Sequence, residues 1–431
     1  MSTATPLGLA LADRRLPGGQ IGLWLGALVI VLLLPLLFNS PVAVTIMNQM
    51  GISIVFALSY NMLLGQGGML SFGHAVFFGL GGFMAMHVIN IIEFEELYIP
   101  LPVVPFIGGL FGMGFAIIVG SFSTRRAGTV FAMISLGVGE LVAACSIIFV
   151  AFFGGEEGIS GDRTMGPPVF GYEFLTEIEV YYLTAVVVFV TALLMYLFSR
   201  TPAGRMANAV RDNDERAEFV GYSQRMVRFI SFVASGFFAG AAGGLFAINY
   251  EILTEENLNL VTSGGVLLMA YIGGIGFFIG PIVGAILLTL LQTVLSNHTE
   301  LWQLYVGILF VLTVMYVPRG LTGLIMMHGI AFKTRRLGLL IVPYLKVGMP
   351  LAVALFGFVT LLEAGHVANA GIVGHTEFHW LGTVFDIGNM GIWALGLVCL
   401  LAGGYGTWHQ SSQVREAWHA ANDMTAGEGT S

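Results

Sequence analysis

Charged residues are scarce in this chain of 431 residues. Asp, Glu, Lys and Arg together make up 10% of it, against about 25% in soluble domains, while hydrophobic residues make up 56%. A soluble protein of this length needs far more polar surface, so the composition excludes a soluble enzyme. The 17 basic and 25 acidic residues give a net charge of −8, which argues against nucleic acid as a partner.

Cysteine is almost absent as well. The two cysteines, Cys145 and Cys399, both lie inside apolar runs, so neither a disulfide framework nor a cysteine-based metal site is expected. The sequence also lacks the G-x-x-x-x-G-K-S/T loop that binds nucleotide phosphates. The chain therefore cannot itself be the ATPase of an ATP-driven system, and no cofactor is expected.

Long apolar runs dominate what is present. Twelve of them can be read as membrane spans of about 20 residues, and the 59 glycines suit close helix packing and broken helices in a membrane. The predicted fold class is an all-α integral membrane protein with about twelve transmembrane helices, some of them broken or re-entrant. The runs are residues 21–38, 42–63, 69–90, 101–122, 128–153, 180–198, 229–249, 261–275, 278–296, 302–317, 345–362 and 384–403.

The basic residues predict the orientation, because cytoplasmic loops of membrane proteins carry an excess of Lys and Arg. If the N-terminus is cytoplasmic and each run crosses once, all 17 basic residues except Arg163 fall on the cytoplasmic side. The loops on the other side are acidic, at 93–96, 156–162 and 251–256. Both termini are therefore expected in the cytoplasm.

Composition divides the chain into four segments. A cytoplasmic N-terminal tail covers 1–20, and a transmembrane core follows over 21–330, with a long cytoplasmic loop at 200–228. A C-terminal extension over 331–408 adds two spans, and the polar cytoplasmic tail over 409–431 is expected to be disordered.

The cytoplasmic loop contains a stretch, residues 204–221, that combines charged and apolar side chains between two glycines. A solvated linker does not need its apolar residues, whereas a short helix turned by glycines at each end could insert into a groove on a soluble partner. A bland polar linker is the alternative. The residues predicted to serve this contact are Gly204, Arg205, Ala209, Arg211, Glu215, Ala217, Phe219 and Gly221.

A second polar interruption lies within apolar sequence at residues 61–82, NMLLGQGGMLSFGHAVFFGLGG. Its glycines predict a broken helix, which frees backbone groups that must be buried in protein or line a cavity. The alternative is a tight turn between two ordinary spans that pack through small residues. The polar residues predicted to lie at or beside a translocation path are Asn61, Gln66, Ser71 and His74.

One ionisable residue, Glu140, lies near the middle of the apolar run 128–153. A carboxylate at that depth in a membrane is costly and is by default a functional candidate, so Glu140 joins the predicted path residues. A protonated, hydrogen-bonded structural glutamate is the alternative.

Two histidines and a glutamate alternate at His375, Glu377 and His379, with His366 upstream. On a strand His375 and His379 would share a face, a pattern that can bind a metal. No H-E-x-x-H pattern accompanies them. We therefore expect no metal site; an intramembrane hydrolase that uses this cluster is the alternative.

Several motifs together resemble those of one transporter family. Residues 61–82 are similar to the signature YN-LLLG-x-x-G-x-x-S-x-G-H-x-x-F-x-G-x-G-x of the branched-chain amino-acid type ABC transporter permeases, the LivM-like subunit. Residues 204–221 resemble the cytoplasmic motif of that family, 153–161 its outer-loop glycine pattern, 269–285 its glycine-rich hairpin and 318–324 its closing motif. The motifs occur in the same order as in the family.

The resemblance implies a permease subunit of an ATP-driven importer rather than an enzyme. Such a subunit would work with a homologous second permease, with ATP-binding cassette ATPase subunits that dock on residues 204–221, and with a periplasmic solute-binding protein. It would lie in lipid as a multi-pass protein of the bacterial inner membrane. The solute implied is small and polar: a branched-chain amino acid, urea or an amide, or an aromatic carboxylate.

The chain departs from the family pattern in two places. Residues 331–431 extend beyond the family core, and the outer loop at 154–179 is more charged than is typical. An ion-coupled secondary transporter is the alternative function. That class needs coupling-ion sites in the spans, and Glu140 is the one carboxylate predicted deep in a span.

Overall fold

The computed structural model describes the chain over most of its length. Two parts of the predicted tails lie outside the described residues: residues 1–17 of the N-terminal tail and residues 423–431 of the C-terminal tail. The described residues are 18–95, 98–169, 171–219, 221–333, 338–370, 377–380, 383–386 and 389–422.

Helices form nearly all of the described fold, which confirms the predicted fold class. The chain divides into two compact units, residues 1–290 and 291–431. The short strands β1 (Ile159–Ser160) and β2 (Ile252–Leu253) pair antiparallel in the first unit. The helices that begin in this unit are α1 (Gly18–Leu37), α2 (Pro41–Asn61), α3 (Ala75–Glu95), α4 (Val104–Ser123), α5 (Gly128–Ile148), α6 (Val150–Phe153), α7 (Glu177–Arg200), α8 (Pro202–Asp212), α9 (Asp214–Phe219), α10 (Gln224–Tyr250), α11 (Leu260–Gly273) and α12 (Gly280–Ser296).

The core of the first unit forms around α10, which packs against α2, α3 and α4. Glycines make this approach close, because a Cβ atom on Gly108 of α4 would lie 3.0 Å from the carbonyl oxygen of Gly240 in α10. Small residues let helix backbones approach in this way inside a membrane. Large aromatic side chains such as Phe83 and Phe232 are fully buried and fill the remaining space.

Among its described residues, the second unit contains four complete helices and a hairpin of two strands. Its helices α15 and α16 pack along each other, and Gly357 of α15 lies directly against the backbone of α16 near Leu400. The unit begins at 291 and includes two helices, α13 and α14, that start within the core predicted over 21–330. The elements are α13 (Trp302–Tyr316), α14 (Gly320–Lys333), α15 (Gly338–Ala370), β3 (Glu377–Trp380), β4 (Thr383–Asp386) and α16 (Met390–Asn422).

The last helix continues further than the sequence suggests. α16 reaches Asn422, so residues 409–422 are helical where the polar composition predicts disorder. Ala417 and Trp418 from this part of α16 pack against the buried Leu340 of α15. These apolar contacts offset the conformational entropy that is lost when the polar segment becomes ordered. Composition alone does not reveal them.

The predicted count of about twelve spans is not confirmed. Among the described residues, nine helices are long and apolar enough to cross a membrane, or ten if the bent pair of α13 and α14 counts as one span. The runs at 261–275 and 278–296 correspond to α11 and α12, of 14 and 17 residues. At 1.5 Å per residue, helices of this length fall short of a hydrocarbon core of about 30 Å.

α11 and α12 instead form a helical hairpin with a glycine-rich turn. Gly273 lies against Gly280, and Gly284 lies against the backbone of Met269, so closely that no side chain would fit between the helices. Such a pair is typical of a re-entrant segment, which returns the chain to the side of the membrane from which it came. Two full crossings would also return the chain to that side. The predicted sides of the loops before and after this pair therefore stay the same with fewer full spans.

Candidate functional site

The predicted break in residues 61–82 is present. α2 ends at Asn61, a π-helical turn covers Met62–Gln66, residues 67–74 are irregular, and α3 begins at Ala75. Gly68 lies in the left-handed region, with a φ of 66°, where a side chain would cause strain. π-helical turns are rare and often occur at functional sites, so this break is the first candidate site.

Side chains from neighbouring helices hold the irregular segment after the break. The Phe72 amide donates to Ser135 Oγ of α5 at 3.1 Å. The Ala75 amide donates to Ser263 Oγ of α11 at 3.0 Å. These bonds satisfy amides that a continuous helix would have satisfied itself. Non-helical backbone at membrane depth must be buried in protein in this way.

His74 is fully buried within an aromatic group. Its ring stacks on Phe56 with the centroids 5.5 Å apart, and it meets the edge of Tyr60 at 5.2 Å. Its Nε2 lies 3.0 Å from Ser59 Oγ, a residue that the sequence reasoning did not single out. His74 therefore fixes the segment against α2 by packing and one hydrogen bond.

Each predicted path residue of the break carries a buried polar atom that has no hydrogen-bond partner among the described residues. These atoms are Asn61 Oδ1, Gln66 Oε1, Ser71 Oγ and His74 Nδ1. A buried polar atom without a partner costs about 1–3 kcal/mol. Four of them on one short segment are compatible with a polar molecule passing beside the break.

Asn48 is a further buried polar residue that the sequence reasoning missed. It lies on α2, is fully buried, and neither atom of its amide group has a hydrogen-bond partner within the described structure. Its only signal in the sequence is an amide inside the apolar run 42–63. Unlike Gln66, Ser71 and His74 of the break, it has no glycine next to it or nearby on its N-terminal side.

The structure does not bring the side chain of Glu140 to the break. Ser135 and Gly139 of α5 contact the backbone of Gly73, but Glu140 is exposed on another face of the same helix. Each helical residue turns the side chain by about 100°, so a neighbour in sequence points elsewhere. Glu140 belongs to an exposed stripe formed by Val130, Met133, Gly137, Glu140, Leu141 and Ala144.

Arg163, the one basic residue predicted outside, is buried, with 7% of its surface exposed. Its guanidinium donates to the carbonyl oxygens of Phe174 and Ile248, both at 3.2 Å, and to the Glu177 carboxylate at 2.9 Å. Its amide donates to Glu251 Oε1 at 3.0 Å. Arg163 therefore ties the outer loop to the start of α7 and the end of α10.

The outer loop also has an acidic surface. The Thr164 hydroxyl and amide donate to Asp162 Oδ1 at 2.6 and 2.8 Å. These bonds favour the carboxylate and lower the pKa of Asp162 below its ordinary value. Glu156 and Glu157 are exposed beside it.

The cytoplasmic loop folds into two short helices, α8 and α9, where the sequence predicts one. Asn213 is extended between them, and its side chain accepts a hydrogen bond from the Arg216 amide at 3.0 Å, which caps α9. Thr201 caps α8 in the same way by accepting from the Gly204 amide at 3.3 Å. Gly221 turns the chain with a φ of 90°, as predicted for a glycine at this end.

Two residues of the predicted partner contact are buried inside the chain. Gly204 lies within α8 rather than before it, and a Cβ there would meet the end of α7 at Ser199. Ala217 packs with Val227 in a small apolar cluster that also contains Ala207 and Val210. The sequence predicts that Ala217 offers apolar contact to a partner, whereas in the structure α10 covers it through Val227.

Four other residues of the predicted partner contact lie on the outward surface of the two helices. Arg205, Ala209, Glu215 and Phe219 are exposed, and Phe219 is 89% exposed. The sequence predicts Arg211 for the same surface, but its guanidinium donates to the carbonyl oxygen of Gly65 in the π-helical turn. It also pairs with Asp212 at 2.8 Å.

The histidine cluster is only partly described. His375 lies outside the described residues, and Glu377 and His379 are described only as backbone of β3. Upstream, His366 Nε2 lies 3.3 Å from the Glu300 carboxylate. Among the described side chains, no group of three or more His, Cys, Asp or Glu residues could hold a metal ion.

A further buried carboxylate within a candidate span, Glu363, was missed because the predicted run ends at 362. It lies in α15 and is buried. Its Oε1 accepts hydrogen bonds from Thr299 Oγ1 at 2.6 Å and from the Tyr305 hydroxyl at 2.8 Å. Glu363 therefore joins α15 to the start of α13, and Glu140 is not the only carboxylate in the candidate spans.

Comparison with known proteins adds an independent result. Residues 42–314 match the family described as branched-chain amino acid transport system, permease component. The high-affinity branched-chain amino acid transport system permease protein LivM of Escherichia coli is 27% identical over 293 residues, which cover 63% of this chain and 67% of that protein. The protein of the same name from Salmonella typhimurium is 26% identical over 302 residues, 65% of this chain and 69% of that protein.

A more distant similarity covers a smaller part of the chain. The autoinducer 2 import system permease protein LsrC of an Enterobacter species is 29% identical over 157 residues, 35% of this chain and 46% of that protein. No solved structure matches the chain.

Proposed function

The chain belongs to the family of branched-chain amino acid transport permease components, and from that membership we propose that it is the membrane-spanning permease of an ATP-driven importer. In this proposal a solute-binding protein delivers a small polar solute to the outer face, and a homologous second permease completes the pathway. Separate ATPase subunits supply the energy. The chain is a translocating subunit of the bacterial inner membrane and performs no covalent chemistry.

The observation that carries the proposal is the group of unpartnered polar atoms at the break. Asn61, Gln66, Ser71 and His74 each bring one such atom to a segment that is buried between apolar helices. In a transporter, broken helices of this kind supply polar groups to a solute near the middle of the membrane. We assign these four residues to the translocation path or to its wall.

Glu140 has a different place in the proposal. Its side chain lies on the outside of this chain within a candidate span, where contact with lipid would be costly for a carboxylate. The stripe around it includes Gly137, which has no neighbouring atom within 4 Å and so leaves room for a helix to approach. We propose that Glu140 faces the second permease, where a polar group or the water of the path can solvate it.

The outward face of α8 and α9 is proposed as the docking surface for the ATPase. Phe219 projects from it as an exposed aromatic side chain, and Arg205, Ala209 and Glu215 are exposed as well. An exposed apolar side chain within a charged rim is typical of a surface that inserts into a groove on a partner.

The proposed solute is a branched-chain amino acid, because both LivM relatives are described as branched-chain amino acid permeases. Urea, short amides and aromatic carboxylates are the other solutes that the family resemblance suggests. The more charged outer loop could alter which binding protein docks there.

Isolation of the intact complex tests this assignment. The chain is tagged and purified in mild detergent from its native membrane, and the co-purifying proteins and the ligand of the solute-binding protein are identified by mass spectrometry. We expect a second permease, at least one ATPase and a binding protein that holds leucine, isoleucine or valine. A chain that purifies without any ATPase and takes up solute on an ion gradient alone would instead be a secondary transporter.

A further inference from the structure

One hydrogen bond joins the cytoplasmic helices to the break in the span. Arg211, at the end of α8, donates from Nη1 to the carbonyl oxygen of Gly65, which lies 146 residues earlier in the π-helical turn. The last carbonyls of a helix lack partners within the helix, and a basic side chain is a good donor to them. Arg211 thus supplies a charge-assisted bond where the broken helix ends.

The Arg211 side chain is held in place from two sides. Asp212 Oδ1 accepts from its Nε at 2.9 Å and lies 2.8 Å from its Nη2, which orients the guanidinium. The aliphatic part of the side chain lies on Gly68, where an added Cβ would be 2.8 Å from Arg211 Cγ. The contact therefore depends on glycine at 68 for space as well as for its positive φ.

The two cytoplasmic helices are both packed on α10 and do not form a loose loop. The Arg228 guanidinium pairs with Asp214 and fastens the start of α9 to α10, and the apolar cluster around Val210 fastens α8 there as well. Phe219 projects away from this packed body. A force on the outward face is therefore carried into α8 and reaches Arg211 rather than bending a loose loop.

We propose that Arg211 is the positioning residue that transmits movement of the ATPase-docking helices to the π-helical turn at Met62–Gln66. The turn carries Gln66 and follows Asn61, so a shift of Gly65 displaces both of these side chains. The inference rests on the proposed function, since it assumes that an ATPase moves α8 and α9. Phe219 then serves the docking of the ATPase, and Arg211 serves the transmission of its movement.

The direct test uses Arg211→Gln in the intact complex reconstituted into proteoliposomes. We expect the variant to co-purify with the ATPase and to hydrolyse ATP at the wild-type rate. Solute uptake should fall by about tenfold, which is the scale of one charge-assisted hydrogen bond. Arg211→Lys keeps the charge but not the planar donor group and should give an intermediate uptake. Wild-type uptake in Arg211→Gln would overturn the proposal.

A matched pair of glycine variants separates the contact from backbone strain. Gly68 and Gly128 have similar φ values, 66° and 63°, but Gly128 has no neighbouring atom within 4 Å. Gly68→Ala should lower the ratio of uptake to ATP hydrolysis, because the new methyl group displaces Arg211. Gly128→Ala carries the same strain and should keep the wild-type ratio. Equal loss in both variants would mean that strain alone is responsible and would overturn the proposal.

A third measurement does not depend on transport. Amide hydrogen exchange of residues 62–70 in the purified chain should quicken in Arg211→Gln, because the turn loses its external bond. Unchanged exchange there would overturn the link between Arg211 and the break. A wild-type complex without ATP-dependent uptake would overturn the proposed function instead, so the two failures are distinguishable.

Discussion

At the scale of single residues, the break places polar atoms where protein alone does not satisfy them. Asn61 ends α2, Gln66 and Ser71 follow it before α3, and His74 packs the end of this segment against aromatic rings. Structural buried polar groups are normally hydrogen-bonded, and we propose that a polar solute or water visits the place where these groups are not.

Removing these atoms should impair uptake without unfolding the protein. Gln66→Ala and Ser71→Ala each delete a side chain that makes no hydrogen bond within the described structure, so stability changes little while the path loses a polar group. Uptake in proteoliposomes should fall several-fold, and membrane insertion should be normal. Ser123→Ala is the matched control, since Ser123 is also buried with an unpartnered hydroxyl but lies on α4.

Loss of uptake in all three variants would indicate a general effect on packing. Normal uptake in both Gln66→Ala and Ser71→Ala would remove the break from the path.

A second prediction at this scale concerns Phe219. Phe219→Asp replaces the most prominent apolar side chain of the outward face with a charge, so the ATPase should no longer co-purify with the chain. Phe94→Asp is a control, because Phe94 is also an exposed aromatic, 76% exposed, but lies at the far end of α3 on the predicted outer side. If Phe219→Asp retains the ATPase as firmly as wild type, the docking surface lies elsewhere.

At the scale of elements, the length of a helix and its close contacts with other helices determine whether an apolar run forms a full span. Hydropathy alone predicts spans at 261–275 and 278–296, but α11 and α12 are shorter than the usual span of about 20 residues, and their glycines allow them to pack as a close hairpin. The break was predictable because glycines and polar residues interrupt an apolar run together. The partner of Arg211 was not, because nothing in a cytoplasmic motif indicates contact with a carbonyl group 146 residues away.

The direction of a side chain was equally hard to predict. Glu140 and Gly139 are neighbours in sequence, yet Gly139 packs against the break and Glu140 faces out of the chain. Depth in a span follows from sequence position, whereas the face of the helix follows from packing.

Within the second unit, Glu363 should matter for stability. Glu363→Ala leaves the hydroxyls of Thr299 and Tyr305 without their shared acceptor, which should cost about 1–3 kcal/mol. The thermal unfolding midpoint of the purified protein should fall, and Glu363→Gln should fall less because its amide oxygen still accepts. Glu300→Gln is the control, since the Glu300 side chain is 89% exposed in its pair with His366. Equal midpoints for Glu363→Ala and wild type would show that this contact is not stabilising.

The C-terminal extension should be peripheral to transport. A chain truncated after residue 330 loses α15 and α16, which pack chiefly on each other, and keeps the elements that carry the break and the docking surface. We expect reduced stability, since Glu363 is lost, but measurable uptake. A folded, fully assembled truncation without any uptake would mean that the extension is part of the path.

At the scale of the whole molecule, the account links an inner surface to a membrane-embedded break within one chain. α8 and α9 offer the surface, α10 holds them, and Arg211 bonds to the turn at the end of α2. The sequence contains no G-x-x-x-x-G-K-S/T loop, and under the proposed function a separate ATPase subunit supplies energy to this surface. ATP hydrolysis in that subunit should therefore control the polarity and shape of the break between α2 and α3 of this chain.

Simultaneous measurement of ATP hydrolysis and leucine uptake in proteoliposomes that contain the intact complex tests this claim most directly. We expect uptake only in the presence of ATP and binding protein, and in a constant ratio to hydrolysis. That ratio should fall in Arg211→Gln while hydrolysis continues. Uptake that proceeds without ATP on an imposed ion gradient, or a ratio that Arg211→Gln leaves unchanged, would contradict the account.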